Sequence, residues 1–176
     1  MKKIVYLFAV VALFASCKNG AKTTASTTDT VAMPYKATYS SSFVISDSTK
    51  NTKAVLQSYK DWEDNKLDNA PSYFADTVAE NFWNGDFLKV KRDSLIKLGH
   101  KFRDSLSNVK IEITAYVALH STDKNSDWVL VWYKETDTYK TGKIDSAYYQ
   151  DDNQLVNGKI VWINNKRQAL KPEKKK

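Results

Sequence analysis

His100 and His120 are the two histidines of this 176-residue chain, and they are the natural first candidates for proton transfer near neutral pH. Neither is accompanied by a clustered carboxylate pair, so the sequence offers no metal-ligand set and no metal is expected. The serines stand in no G-x-S-x-G setting, which leaves no strained nucleophile turn. Five scattered glycines build no phosphate-cradling loop, and no cofactor is expected. What the chain has in quantity is aromatic surface: five tryptophans, ten tyrosines and seven phenylalanines. Along Trp128 to Lys134, alternation puts Val129, Val131 and Tyr133 on one face and Trp128, Leu130 and Trp132 on the other, so both faces are apolar. The strand before it shows Val109, Ile111, Ile113, Ala115 and Val117 on one face and Tyr116 on the opposite one. A sheet face left bare by the helices would display Tyr116, Leu130 and Trp132, with Tyr149 or Trp162 beside them, and such a patch marks an interface.

The elements that must position these residues follow from periodicity and punctuation. Asp47 or Ser48 is suited to cap a helix well formed by Lys53, with Val55, Leu56, Tyr59 and Trp62 on its apolar face. Lys60, Asp61, Glu63 and Asp64 lie mainly around its other side. A short second helix begins near Asn69, with Pro71 in its first turn, and carries Tyr73 and Phe74 inward. Thr77 to Trp83 reads as a strand, Asn84-Gly85 as a hairpin turn, and Phe87 to Val90 as the return. Asp93 or Ser94 opens a third helix carrying Leu95, Leu98, Phe102 and Leu106 on one side. Strands at Val109 to His120, Trp128 to Thr136, Ile144 to Gln150 and Lys159 to Asn164 complete the chain, the last preceded by Asn157-Gly158. Helices followed by an antiparallel meander is an α+β order.

The front of the chain has a different character. Lys2 and Lys3 precede eleven residues, Ile4 to Phe14, whose only polar side-chain group is the Tyr6 hydroxyl. Small Ala15 and Ser16 follow, then Cys17, the sole cysteine. This is the layout of an export signal, and it is too short to span a bilayer, which takes about 20 residues. Asn19 to about Ser42 is rich in Thr, Ser, Ala and Lys and reads as a flexible tether. The formal charge of +7 is carried by the ends. With residues 1–36 and 171–176 set aside, basic and acidic residues balance, so the globular part is neutral and nucleic acid is disfavoured as a partner.

Leu13-Phe14-Ala15-Ser16-Cys17 resembles the lipobox of bacterial lipoproteins, with Phe14 where that family usually has Leu. The resemblance implies cleavage between Ser16 and Cys17 and lipidation of Cys17, hence attachment to a membrane of the cell envelope. Lys18, in place of the aspartate that commonly marks inner-membrane retention, leans towards the outer membrane, facing the periplasm. The expected organisation is a signal peptide over 1–16, a lipidated cysteine and tether over 17–42, one domain over 43–170 and a basic tail over 171–176.

Within the domain, Ala54-Val55-Leu56-Gln57-Ser58-Tyr59, Tyr73-Phe74-Ala75-Asp76, the strand ending in Asn84-Gly85 and the closing Asn157-Gly158-Lys159-Ile160 resemble the nuclear-transport-factor-2-like superfamily. That superfamily includes SnoaL-like proteins and ketosteroid isomerase. The resemblance implies an α+β cone-shaped roll: a strongly curved, mixed or antiparallel sheet wrapped around three N-terminal helices, with a pocket at the wide end. In the isomerase branch a helix tyrosine and a protonated late-strand acid hold an enolate oxygen while a carboxylate moves the proton. Tyr59 falls at the tyrosine and Asp145 near the acid. The base position falls on Phe82, which cannot take a proton, and Glu80 is an offset alternative on the same strand face. The reading therefore favours a pocket lined by Tyr59, Trp62, Phe82, Trp83, Tyr133 and Tyr148 that binds a small apolar or amphiphilic molecule without catalysis. The alternatives are acid–base catalysis by Tyr59, Asp145 and Glu80 or His120, or a protein working only through protein contacts. Since the outer sheet face is a common dimer surface in the superfamily, a homodimer is expected.

Overall fold

Seven strands, two α-helices and a 3-10 helix are found over residues 33–170, the part that the computed structural model describes. The segment expected as an export signal, Cys17, most of the expected tether and the basic tail lie outside the described residues. From Ala37 onward the chain forms a unit of its own. In order it runs β1 (Phe43–Ile45), α1 (Thr49–Glu63), the 3-10 helix (Leu67–Ser72), β2 (Phe74–Asn81), β3 (Phe87–Lys91), α2 (Arg92–Arg103), β4 (Leu106–Ser121), β5 (Ser126–Tyr139), β6 (Ile144–Val156) and β7 (Lys159–Ala169).

Local chemistry accounts for the helices. Ser48 caps α1 by accepting the Asn51 amide on its hydroxyl at 3.3 Å. Val55 and Tyr59 are buried as their spacing requires. Asp61, expected on the outer side, is instead 1 % exposed. Its Oδ1 accepts from Gln57 Nε2 at 2.8 Å; burial first, and the Asp61 charge second, hold the Tyr73 hydroxyl above its ordinary pKa. In α2 an acid, Asp93, stands in the first turn and His100, Lys101 and Arg103 in the last, matching the helix dipole. The first turn of α1 has no acid and carries Lys50. Pro71 lies inside the 3-10 helix, which ends at Tyr73, 2 % exposed.

The sheet order is β1-β4-β5-β6-β7-β2-β3, antiparallel except for the parallel β2–β7 pair. It is curved and not closed, and its concave face packs on the helices. Cross-strand partners share a face, so the paired sets Tyr116↔Val131, Ala118↔Val129, Tyr133↔Tyr149, Val131↔Asp151 and Asp151↔Asn165 line the concave side. Val55, Tyr59, Tyr73, Val129, Val131, Tyr133, Leu155 and Ile160 form the core there. Two expectations about the outer face are corrected. A bulge between Ile113 and Ala115 shifts the alternation of β4, which moves Tyr116 to the concave side. Tyr149 is concave as well, stacked on Tyr133 with ring centroids 5.3 Å apart. The tether, expected to run free to Ser42, is docked from Tyr39 on. The Tyr39 ring packs edge-on against Trp128 at 5.6 Å, and its hydroxyl and the Ser126 hydroxyl are 2.8 Å apart.

Candidate functional site

The concave face holds a polar cluster that the apolar core surrounds. Asp151 on β6 is 5 % exposed. Its Oδ2 accepts the hydroxyls of Tyr59 at 2.8 Å and Tyr133 at 3.0 Å, and its Oδ1 accepts from Asn165 Nδ2 at 2.6 Å. Asn153 Nδ2 donates to the Tyr59 hydroxyl at 3.3 Å and to the Val129 carbonyl at 3.1 Å. Three strands and α1 therefore converge on one carboxyl group. Burial pushes the Asp151 pKa up against the opposing pull of its three donors. Both tyrosine hydroxyls are driven well above their usual value, by burial first and by the Asp151 charge second. Tyr59 and Tyr133 are neutral donors at any physiological pH.

Two further acids look into the same interior. Glu80 on β2 is paired in register with Ile163, a concave-side residue. Burial, then the Asp151 charge, raises its pKa to about 7. It has no hydrogen-bond partner among the described residues. Glu135 on β5 is raised to about 8, by burial and then by the neighbouring Asp137, while Trp62 Nε1 donates to its Oε1 at 3.2 Å. Asp137 is itself raised by burial, and its buried Oδ1 has no partner. The cone thus holds carboxyl groups that stay neutral where ordinary glutamates are ionised.

Near the β5–β6 turn the site becomes cationic. Arg167 on β7 donates from one guanidinium nitrogen to both Asp145 oxygens at 2.8 and 3.0 Å, and from Nε to the Tyr149 hydroxyl at 3.0 Å. The same guanidinium lies 5.1 Å from the Trp83 ring centre. Arg103 is buried as a clamp, donating to the carbonyls of Trp62, Glu63 and Leu106.

The structure places the sequence-derived residues unequally. Tyr59, Tyr133 and Glu80 come together around Asp151, and Trp62 reaches Glu135. Asp145 stands further along β6 and is tied to Arg167. Trp83 is 55 % exposed, with Arg167 over its ring, and Phe82 is half-buried at the hairpin. Tyr148 alternates with concave Tyr149, so it stands on the convex face, 47 % exposed. His120 pairs with Asp127 at 2.8 Å towards the β4–β5 turn, away from the acids, and Asn51 donates to the other Asp127 oxygen. Ser16 and Cys17 lie outside the described residues. Asp151, Asn153 and Asn165 were missed because Gln150-Asp151-Asp152-Asn153-Gln154 has the composition of a loop. The only available signal was its period-2 alternation with Ala147, Tyr149 and Leu155.

Two surface grooves flank α1. The larger, about 630 Å³, runs between α1 and β4 past Ile45, Leu56 and Tyr116. The smaller, about 360 Å³, lies by Lys50, Lys53, Tyr73, Gly158 and Lys159. Neither reaches Asp151 or Glu80.

No family model matches the chain, and no curated protein matches it in sequence. Solved structures do match in fold. An LEH-like epoxide hydrolase from M. tuberculosis superposes with a TM-score of 0.56 at 10 % identity, covering 68 % of this chain and 84 % of that one. An NTF2-like protein of unknown function from Burkholderia pseudomallei gives 0.55 at 13 % identity, over 68 % and 92 %. A candidate SnoaL-like polyketide cyclase from Jannaschia gives 0.54 at 11 %, over 68 % and 86 %. The fold is therefore the α+β cone of NTF2-like and SnoaL-like proteins, as the sequence motifs implied. At these identities the likeness reaches no further than the fold.

Proposed function

We propose that this chain is a lipid-anchored protein of a bacterial envelope whose cone binds a small apolar or amphiphilic molecule without transforming it. One observation carries the reading: the best-placed carboxylate, Asp151, has both oxygens occupied by three internal donors. A carboxyl group that is 5 % exposed and accepts three internal donors ties α1, β5 and β7 together, which suits a structural role better than that of a general base. The surroundings suit an uncharged guest. Trp62, Trp83 and Tyr149 supply aromatic surface, and Glu80 and Glu135, raised to about 7 and about 8, hold their protons at pH values where ordinary glutamates are ionised. The lipid anchor rests on the basic start, the apolar run and the sole cysteine after Ala15-Ser16. The convex face, where Leu130, Trp132 and Tyr148 stand together, is the surface proposed for self-association; a monomer at micromolar concentration in sedimentation counts against it.

Native mass spectrometry of residues 37–176, purified gently from its host, tests the pocket. A retained small-molecule mass that Trp62→Ala and Trp83→Ala release is the expected result; a bare protein sinks the reading. The intact mass of the membrane-extracted chain tests the anchor. It should begin at Cys17 and carry acyl groups, and Cys17→Ser should remain uncut.

A second reading, acid–base catalysis, is favoured by Glu80 alone. Its pKa of about 7 is poised for proton transfer, and no internal donor occupies it. Slow chemical conversion of the retained molecule, lost in Glu80→Gln, would replace binding with catalysis.

A further inference from the structure

We infer that the end of the domain at which the tether arrives is a membrane-contact surface, built to lie on an anionic lipid headgroup layer. The inference rests on the lipid-anchor reading for its biological direction, but its evidence is the surface itself. The tether joins the domain at the β4–β5 turn. Ser42 O accepts the Thr122 amide at 2.9 Å, and the Ser40 hydroxyl bonds to Asp123 and Ser121. In an antiparallel meander alternate turns share an end. The β6–β7 turn at Asn157-Gly158 therefore lies at the tether end, and the β5–β6 turn lies opposite. The start of α1 is at the tether end too, since Asn51 reaches Asp127 at 3.1 Å.

That end combines cations with bare apolar side chains. Lys50, Lys53 and Lys159 line the groove of about 360 Å³, Lys159 with its Nζ donating to the Pro71 and Ser72 carbonyls at 2.9 and 2.7 Å, and Lys124 stands on the β4–β5 turn. Lys50 sits in the first turn of α1, where the helix dipole opposes it and no acid offsets it. Its stem lies over Gly158, where a β-carbon would come within 2.9 Å of Lys50 Cε. That turn, with φ of +75°, thereby lets the lysine lie down beside Lys159. Among the described residues neither Lys50 nor Lys53 forms an ion pair. The same end also carries acids: Asp47 is exposed just before α1, Asp123 accepts from Ser40 and Ser121, and Asp127 is held by His120 and Asn51. Beside the lysines Val44, Ile45 and Val156 are 51 %, 80 % and 51 % exposed. Apolar side chains that enter the headgroup region and lysines that pair with its phosphates are the two components of interfacial binding. With the mouth-side residues Trp83, Arg167 and Asp145 placed towards the other end, a domain so seated would present its cone away from the bilayer.

The test uses residues 37–176, the unit that folds around its own core, so that no lipid anchor contributes. Co-sedimentation is measured with phosphatidylcholine vesicles with and without phosphatidylglycerol. The wild type should sediment with the anionic vesicles only, and less at high salt. The double variant Lys50→Glu/Lys53→Glu should weaken that binding by tenfold or more, and Ile45→Asp severalfold, with thermal melting confirming that each is folded. Replacing Lys171, Lys174, Lys175 and Lys176 by glutamine should leave most of the binding. Loss of all binding on removing the tail charges, unchanged binding in the double variant, or no binding by the wild type overturns the proposal. Because this fragment lacks Cys17, these outcomes are independent of whether the anchor itself is found.

Discussion

The interior of the cone and the tether-entry end both hold charge-bearing side chains, and they treat them in opposite ways. Inside, four acids stand on β2, β5 and β6 with no ion pair among the described residues; burial raises the pKa of each, and Asp151 also accepts hydroxyl and amide donors. At the tether end, Lys50 and Lys53 form no ion pair among the described residues, beside exposed apolar side chains. Low dielectric explains the first arrangement, because a buried acid is tolerated only when protonated or fully bonded. Water explains the second, because an exposed ammonium costs nothing to leave unpaired. Charge that is hidden tends to be architectural, whereas charge left open is available to a partner.

The sharpest way to break this contrast is to remove the buried hub. Asp151→Ala strands the Tyr59 and Tyr133 hydroxyls and the Asn165 amide, and it should cost about 3 kcal/mol or more in urea unfolding. A loss below about 1 kcal/mol would mean that water replaces the carboxylate and the interior is wet.

The next effect is a pH dependence of stability with a defined sign. Glu80 and Glu135 have folded pKa values above the unfolded one, so the protonated form is favoured by folding. Their stabilising contribution is complete below the unfolded value and is lost as pH rises, through about 7 for Glu80 and about 8 for Glu135. Each pKa unit is worth about 1.4 kcal/mol, so the Glu80 part is at most on the order of 3 kcal/mol between about pH 4.5 and 8. Glu80→Gln should flatten the profile in that window; an unchanged slope would show that Glu80 titrates in water.

The smallest effect lies at the other pole. Lys50→Ala removes a charge opposed by the helix dipole and should leave the domain unchanged or stabilise it by about 0.3–1 kcal/mol. Destabilisation of more than about 1 kcal/mol would assign Lys50 a packing role over Gly158 and weaken the contrast.

Much of this architecture is legible in the residues. Val55, Tyr59 and Trp62 mark α1, Ser48 marks its start, and Asn84-Gly85 and Asn157-Gly158 mark two turns where Gly85 and Gly158 have positive φ. The alternation from Trp128 correctly assigns Val129, Val131 and Tyr133 to the core. Errors fall where polar side chains are satisfied by distant partners. Asp61 is buried on a helix that reads as charged there, and β6 continues through Gln150 to Val156 although its composition suggests a loop. Its backbone is bonded on both sides by β5 and β7, so propensity is overridden.

The sequence by itself determined the order of elements from α1 onward, the α+β class and the core faces of α1 and β5, because those depend on neighbours a few residues apart. Only the tertiary structure decided which acids share the interior. The Tyr59–Asp151 bond joins positions 92 residues apart. The bulge after Ile113 reversed the facing of β4, and the polar run of β6 turned inward onto donors supplied by α1, β5 and β7. Hydrophobic periodicity reports what leaves water, but it does not report which hydrogen bonds make burying a carboxyl group tolerable.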